Sequence, residues 1–261
     1  MRHLRRTLAK TPVRKTVVWF RHRSLAERDA FIGSYPRSGS TWLRFLLTEI
    51  LSDRPATFEN VNQIIPQVGE HHQAPRLLPG GGRLIKTHEA YLPDYRRGIY
   101  LVRDPRDVVL SEYAYQQALG LVSDDLDTYL NSFLDGKVNG YGSWQDHAQS
   151  WIEAAGRSPE SLMVVKFENL RRDTPSTVAS ILEFLRVPAA AEVIQTAIAN
   201  NSVDKMRAKE KQTPQKASER GRFIRSGSVG GWRERMTAEQ LGRINDYASR
   251  ELTTLGYSAG V

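Results

Sequence analysis

A short segment rich in hydroxyl groups, Ser34-Tyr35-Pro36-Arg37-Ser38-Gly39-Ser40-Thr41-Trp42, separates an apolar run from an apolar helical pattern. A strand, a tight loop and a helix in this order gather backbone N–H groups and the positive end of a helix dipole, where anions bind. Gly39 lets the backbone approach such an anion, the N–H groups from Gly39 to Trp42 should open toward it, and Arg37 adds a mobile positive charge. The pattern predicts an anion cradle made by Arg37, Ser38, Gly39, Ser40, Thr41 and Trp42.

The cradle differs from the phosphate loop of nucleoside triphosphatases. That loop has four residues between its two glycines and a lysine directly after the second. Here five residues separate Gly33 from Gly39, and serine follows Gly39. The spacing disfavours phosphoryl transfer from ATP, and a nucleotide kinase with a variant loop stays as the rival enzyme.

A second group of reactive side chains, Lys86-Thr87-His88, ends another predicted strand. Ligands of open α/β sheets bind outside the carboxyl ends of the strands, so this segment should face the cradle. Lys86 can balance charge on a leaving phosphate, and a neutral His88 can accept a hydroxyl proton at ordinary pH. We therefore interpret His88 as a general base, with Lys86 and Arg37 as its catalytic cations.

A third group follows the strand Ile99-Tyr100-Leu101-Val102. Arg103 stands at the strand end, where its guanidinium can hold a phosphate in a bidentate contact, and Ser111 lies two helical turns farther on. A basic, glycine-spaced loop at 223–233 contains Arg225, Ser226 and Gly227 and could cover the same anion. Two separate anion sites imply a ligand that is phosphorylated at two places.

The other five histidines, His3, His22, His71, His72 and His147, fall in the tail, in a loop or in a helix. We interpret them as surface or packing residues. A metal site built from Glu70, His71, His72 and His88 stays an alternative, although the spacing matches no common ligand pattern. We expect a site without a metal.

Four short runs, at 30–34, 83–87, 98–102 and 162–167, are rich in β-branched and aromatic residues and alternate with longer helical patterns. This alternation predicts an α/β fold with a central parallel sheet flanked by helices. Helices should begin near Asp104-Pro105 and Thr174-Pro175, and Thr237 with Gln240 predicts a capping box before one last amphipathic helix. Residues 201–231 are polar with little periodicity, which favours a long ordered loop or lid.

The chain has 261 residues, no cysteine and no apolar run near the roughly 20 residues of a membrane-spanning helix. Without cysteine, disulfides and thiolate chemistry are excluded. The N-terminus has no signal-peptide pattern, so we expect a cytoplasmic protein with one domain at 27–261 after a basic segment at 1–26.

Basic side chains are concentrated at the N-terminus. Of 37 lysines and arginines, eight lie in residues 1–26 with no acid, so the rest of the chain has 29 basic and 29 acidic side chains. We therefore expect no nucleic-acid partner for the body. We interpret the segment as a frayed basic tail that ends in an edge strand at Val17–Phe20. With Trp19 and Phe20 interleaved, it also suits an anionic membrane or a polyanionic acceptor, which stays the alternative.

Together these residues resemble the sulfotransferases that use 3′-phosphoadenosine 5′-phosphosulfate (PAPS), with the motifs in the same order from about residue 30 to 240. Tyr35 to Trp42 is similar to the family's 5′-phosphosulfate loop, with Arg37 where cytosolic members usually have lysine. Lys86 and His88 match the family's catalytic lysine and base. Arg103 and Ser111 match the residues that hold the 3′-phosphate.

The resemblance extends to the C-terminal loop and the adenine site. Arg225, Ser226 and Gly227 match the family's Arg-Lys-Gly, with Ser226 in place of the lysine. Phe167 stands where cytosolic members often have a tyrosine near the adenine, Val203 aligns with an adenine-stacking phenylalanine, and Trp42 is the other stacking candidate. The resemblance implies the P-loop-kinase-like sulfotransferase fold and PAPS as co-substrate without a metal.

The expected reaction is in-line sulfuryl transfer from PAPS to a hydroxyl, with release of 3′-phosphoadenosine 5′-phosphate (PAP). The acceptor could be a carbohydrate, a lipid or a small alcohol or phenol, and the sequence does not choose among them. A non-catalytic nucleotide-binding protein is the rival from another class, and the intact pair of Lys86 and His88 speaks against it.

Overall fold

A four-stranded parallel sheet lies at the centre of the molecule. The computed structural model describes residues 13–213 and 227–258 of the chain. The strands are ordered β2-β1-β3-β4, and every neighbouring pair is parallel. Their bounds are β1 Ala30–Gly33, β2 Leu84–Thr87, β3 Gly98–Val102 and β4 Leu162–Lys166. The predicted parallel α/β fold is confirmed.

The register brings the carboxyl ends of the strands to one edge of the sheet. Gly33 at the end of β1 pairs with Thr87 at the end of β2, and Val102 of β3 pairs with Lys166 of β4. The segment that follows β1, residues 34–41, contains most of the predicted anion cradle and is called the phosphate loop below. This loop, His88, Arg103 and the residue after β4 therefore begin along this one edge. The shared edge is what assembles the site.

Helices cover both faces of the sheet, as crossover connections between parallel strands require. The described helices are α1 (Val13–Arg21), α2 (Ser40–Ser52), α3 (Val61–Ile64), α4 (Pro105–Ala118), α5 (Leu126–Leu134), α6 (Trp144–Arg157), α7 (Phe167–Arg172), α8 (Thr174–Leu185), α9 (Ala191–Asn200), α10 (Val203–Gln212), α11 (Ala238–Tyr247) and α12 (Ser249–Thr254), with a 3₁₀ helix at Gly231–Glu234.

Each face of the sheet has its own apolar core. Phe31 and Tyr100 point to one face, where Trp151 of α6 stacks on Tyr100 with ring centroids 5.3 Å apart. Ile32 and Leu101 point to the other face and pack with α2, α8 and α9. Gly33 has to be glycine because a Cβ there would lie 2.2 Å from the Trp151 ring.

The N-terminal segment forms a helix, α1, and the predicted edge strand at 17–20 is wrong. The β-branched and aromatic residues there are typical of a strand, but a strand needs a free edge. The outer edge of β2 is already taken, because Lys86 donates its backbone N–H to Pro66 and accepts from Val68, both at 2.8 Å.

Other local expectations need correction. The segment at 201–231 contains the helix α10, capped by Ser202, so it is not one long loop. The helix after Thr174 is capped by Asp173, whose carboxylate accepts from the N–H of Ser176. The capping box of Thr237 and Gln240 is confirmed, but the last helix breaks at Ala248 into α11 and α12.

Within the described ranges, no helix combines the length and the apolar character that crossing a bilayer requires. Arg225 and Ser226 of the predicted anion-covering loop lie outside those ranges, as do residues 1–12 of the basic segment.

Candidate active site

The phosphate loop connects β1 to α2 through two left-handed residues, Arg37 (φ 68°) and Gly39 (φ 92°). The loop lies so close to Phe167 that a Cβ on Gly39 would be 2.4 Å from its ring. Ser40 and Thr41 open α2, so their N–H groups have no acceptor within the helix. The N–H of Trp42 donates to the Gly39 carbonyl at 3.0 Å, which removes it from the predicted set of open donors.

The side chain of Arg37 reaches toward α4. Its Nε donates to the hydroxyl of Ser111 at 3.3 Å, and its guanidinium lies over the Tyr115 ring at 4.5 Å. The backbone of Arg37 is held by Arg103, whose Nη1 donates to its carbonyl at 3.1 Å. The residues predicted for the two anion sites are therefore in direct contact.

Arg103 is buried at the end of β3, between the phosphate loop and the C-terminal loop. Its Nη2 donates to the Ser228 carbonyl at 2.8 Å, and its guanidinium lies 4.8 Å from the centre of the Phe167 ring. Asp107 lies 3.9 Å from Arg103 and accepts from the N–H of Gly230 at 2.8 Å. These contacts hold the described part of the glycine-spaced loop, from Gly227 onward, against Arg103.

Two buried donors of this region have no hydrogen-bond partner within the described chain: the hydroxyl of Ser38 and Nε of Arg103. A buried polar group that lacks a partner costs about 1–3 kcal/mol, so such groups are rare in native proteins and call for an explanation. Ser38 belongs to the predicted anion cradle and Arg103 to the second predicted anion site, and both side chains can donate to an oxyanion. The donor set fits a ligand with phosphate or sulfate oxygens.

His88 follows β2 and its imidazole is anchored to the phosphate loop. Its Nδ1 lies 2.6 Å from the Ser34 carbonyl, which can only accept, so Nδ1 carries the proton and Nε2 is the basic nitrogen. Burial, followed by the charge of Lys86, holds the pKa of His88 well below its ordinary value of 6.5. The ring edge of His88 contacts Tyr141, with centroids 5.4 Å apart. His88 is therefore a neutral base with a defined tautomer.

Lys86 is a buried residue of β2, two positions before His88. Its backbone is fixed on both sides, by Ile32 of β1 and by the segment 66–68. The two backbone pairings fix the position of Lys86 near the end of β2. The positive charge of Lys86 lies close enough to His88 to lower the pKa of its imidazole. The structure thus brings Lys86, His88 and the phosphate loop together, as the sequence predicts.

His147 of α6 contacts the backbone of His88. From the sequence, His147 is interpreted only as a surface or packing residue. It is fully buried, its Nε2 lies 3.1 Å from the His88 carbonyl, and its Nδ1 lies 3.1 Å from the Tyr100 hydroxyl. Burial lowers its pKa to about 4, so it is neutral. A signal was present in the sequence, since His147 falls on the buried face of α6 with Trp144 and Trp151.

Comparisons with known proteins identify the family of this chain. A family model described as the sulfotransferase domain matches residues 27–256. This chain belongs to the sulfotransferase family. The predicted resemblance to the sulfotransferases is confirmed, and the protein is a sulfotransferase.

Among related sulfotransferases, Sulfotransferase 2B1 of Rattus norvegicus is 30% identical over 236 residues, which are 83% of this chain and 68% of that protein. The structure of mouse sulfotransferase SULT7A1 complexed with PAP has a TM-score of 0.71 at 22% identity and covers 94% of this chain and 91% of its own. The structure of retinol dehydratase in complex with androsterone and inactive cofactor PAP has a TM-score of 0.73 at 20% identity. That match covers 92% of this chain and 85% of the retinol dehydratase chain. The last two comparisons show a shared fold.

The sulfotransferase residues predicted near adenine lie beside the loop. Trp42 is half-buried, donates from Nε1 to the Asn201 carbonyl at 2.9 Å, and carries the Arg171 guanidinium 5.1 Å from its ring centre. Phe167 is only 3% exposed and meets Trp42 edge-on at 6.4 Å. Val203 begins α10. The ring of Phe167 supports the loop, and its contact with adenine stays a prediction.

Across residues 13–213 and 227–258, no cluster of three or more histidine, aspartate or glutamate side chains could hold a metal ion. His71, part of the alternative metal set, makes protein contacts instead: its Nδ1 accepts from Gly69 and its Nε2 lies 3.2 Å from the Arg23 carbonyl.

Proposed function

We propose that this sulfotransferase moves the sulfuryl group of PAPS to a hydroxyl of its acceptor, with His88 as the general base. One observation carries the proposal: a neutral imidazole with a fixed tautomer stands beside a loop in which the buried hydroxyl of Ser38 has no hydrogen-bond partner within the described chain. A base and an anion cradle at the same sheet edge are the two parts that the reaction needs.

The donor nucleotide would be held at both of its charged ends. Arg37, Ser38, Gly39, Ser40 and Thr41 bind the 5′-phosphosulfate. The 3′-phosphate is bound by Arg103, Ser111, Arg225, Ser226 and Gly227, and the adenine lies against Trp42 and Phe167. The unpartnered donors of Ser38 and Arg103 support one contact in each group.

The chemistry of the step follows from the charges. The acceptor oxygen forms a bond to sulfur while the bond from sulfur to the phosphate oxygen breaks, and its electron pair goes to the phosphate of PAP. The acceptor proton passes to Nε2 of His88. Lys86 and Arg37 stabilise the charge that grows on the leaving oxygen. A donor of this kind typically lowers the activation barrier by about 2.7–4 kcal/mol.

The acceptor hydroxyl would lie on the Nε2 side of His88. Tyr141 packs against the imidazole, and the side-chain amide nitrogen of Gln67 lies 3.5 Å from the Tyr141 hydroxyl. Aromatic and amide groups at this position suit a molecule with a hydroxyl on an apolar body. Retinol dehydratase is complexed with androsterone, an apolar alcohol, and this likeness supports the same class of acceptor here. The cytoplasm stays the predicted location.

Incubation of the protein with ³⁵S-labelled PAPS and a panel of apolar alcohols, phenols and a metabolite extract tests the proposal. We expect label in an organic product whose mass is that of an alcohol plus one sulfuryl group, and an equal amount of PAP. A protein that binds PAP but transfers no label to any acceptor would match the non-catalytic rival. Transfer of the γ-phosphate of ATP would match the kinase.

A further inference from the structure

Helix α1 carries three large apolar side chains in solvent. Val17 is 42% exposed, Trp19 63% and Phe20 60%. We call these three residues the α1 patch. They make up half of the large exposed apolar side chains in the described part of the chain, and the others, Leu121, Val193 and Val229, are separated in the sequence. A cluster of this kind marks an interaction surface, whereas scattered exposed residues are ordinary.

The orientation of α1 is the reverse of an ordinary surface helix. A surface helix turns its apolar stripe to the core and its charges to water. Among residues 16–21, the part of α1 whose side chains are described, Val18 and Arg21 are half-buried and lie one turn apart, while Val17, Trp19 and Phe20 are exposed. Burial against the body therefore does not account for the aromatic residues of this helix.

The helix is fastened to the body by its last residues. Arg21 donates from Nη2 to the Val68 carbonyl at 2.5 Å and pairs with Glu89 at 3.7 Å, and His22 lies 2.6 Å from the Tyr95 hydroxyl. Gly69 leaves room for Arg21, because a Cβ there would be 2.8 Å from its Nε. Glu89 directly follows His88 in the chain. The contact of Arg21 with Glu89 therefore connects the end of α1 to the segment that carries the proposed base.

The charge of the segment that contains the patch indicates the kind of partner. Residues 1–26 contain eight basic and no acidic side chains. The exposed Arg23 lies over both aromatic rings, 5.0 Å from Trp19 and 5.2 Å from Phe20. Arginine beside tryptophan and phenylalanine is the composition that binds the headgroup region of anionic bilayers, where each basic residue contributes about 1 kcal/mol.

We propose that the α1 patch docks this protein on the surface of an anionic lipid bilayer, with Trp19 and Phe20 inserted among the headgroups and the basic residues held by lipid phosphates. A second copy of the chain is a poor occupant. In a two-fold dimer the same patch meets itself, so two segments with eight positive charges each would face one another without an acid to pair them.

Vesicle co-sedimentation of the full-length protein tests the docking. The probes are vesicles of phosphatidylglycerol mixed with phosphatidylcholine and vesicles of phosphatidylcholine alone. We expect binding to the anionic vesicles at low salt that is lost at about 1 M salt, where the Debye length is about 3 Å. The double variant Trp19→Ser/Phe20→Ser should bind at least about tenfold more weakly, because two buried aromatic side chains are lost.

Leu121→Ser is the matched control, since Leu121 is 43% exposed and lies away from α1. It should bind the vesicles like the wild type, and all proteins should give the same thermal shift with PAP, which shows that they are folded. Equal binding by Trp19→Ser/Phe20→Ser and the wild type, or equal binding to both kinds of vesicle, would overturn the proposal. A dimer that the double variant abolishes would assign the patch to a second copy instead.

Discussion

Nδ1 of His88 lies 2.6 Å from the carbonyl oxygen of Ser34, the residue that begins the phosphate loop. This one hydrogen bond does two things. It fixes the proton on Nδ1, so that Nε2 is available as a base, and it ties the base to the loop that is proposed to hold the donor. Movement of the loop and orientation of the base are therefore coupled.

The first prediction concerns the charge of His88. Because burial and Lys86 both disfavour the imidazolium, the pKa of His88 should lie below 6.5 in the nucleotide-free protein. NMR titration of the labelled imidazole measures it, and the spectrum at neutral pH should show the tautomer protonated on Nδ1. In Lys86→Met the pKa of His88 should rise toward 6.5, since the largest of the charges that lower it is gone. A wild-type pKa at or above 6.5 would contradict this description of the base.

The second prediction concerns stability and His147. A histidine with a pKa of about 4 in the folded protein and 6.5 in the unfolded chain is protonated first in the unfolded chain. Its contribution is complete above pH 6.5 and is lost as the pH falls toward 4, at about 1.4 kcal/mol per pH unit.

Urea unfolding at a series of pH values tests this slope. His147→Gln keeps a donor for the His88 carbonyl but does not titrate, so its free energy of unfolding should depend less steeply on pH between 6.5 and 4. The difference should correspond to about one proton per molecule. Equal slopes in the two proteins would show that His147 is not a buried neutral histidine.

The third prediction concerns the close contact of Gly39 with Phe167. Gly39→Ala adds a methyl group 2.4 Å from the Phe167 ring at a φ of 92°, so it should lower both stability and PAP affinity. Gly120→Ala is the control, because Gly120 also has a positive φ, 67°, but nothing lies within 4 Å of its Cβ position.

Urea unfolding should show a backbone cost of about 1 kcal/mol in both variants and a further cost of about 1–3 kcal/mol in Gly39→Ala alone. Gly39→Ala/Phe167→Leu should recover part of that further cost, since the smaller side chain can give way. If both alanine variants lose the same stability, the loop does not rest on Phe167.

The fourth prediction concerns recognition of the 3′-phosphate. Arg103→Ala should reduce the affinity for PAP by about 10- to 100-fold, the effect of losing a charged hydrogen bond, and change the affinity for 5′-AMP little. Arg103→Lys should lie between, because lysine keeps the charge but not the fork of donors. Isothermal titration with the two nucleotides measures both. Equal losses for PAP and 5′-AMP would mean that Arg103 only supports the loops.

The parts of the fold that the sequence predicts well are those with strong local signals. All four strands are short, mainly apolar runs, and each lies within one residue of its predicted bounds. The phosphate loop was recognisable because its glycine and hydroxyl residues follow such a strand directly. Lys86, His88 and Arg103 then follow from the rule that ligands bind at the carboxyl ends of parallel strands.

The parts that were missed depend on distant contacts. The strand-like residues of α1 form a helix, while segment 66–68 occupies the outer edge of β2, which no local pattern reveals. In α10 only Met206 and Glu210 are buried, so the helix lacks an apolar period. The contact of Arg37 with Ser111 joins residues 74 positions apart and follows from the left-handed backbone at Arg37.

The measurement that tests the account most directly compares PAP affinity with single-turnover sulfuryl transfer in the wild type and in His88→Asn. Asparagine can still donate to the Ser34 carbonyl but offers no basic nitrogen, so binding and chemistry should separate. We expect PAP affinity within about twofold of the wild type and a rate of label transfer lower by about 10²–10⁴-fold, the range for loss of a general base. Transfer at the wild-type rate by His88→Asn would contradict the account.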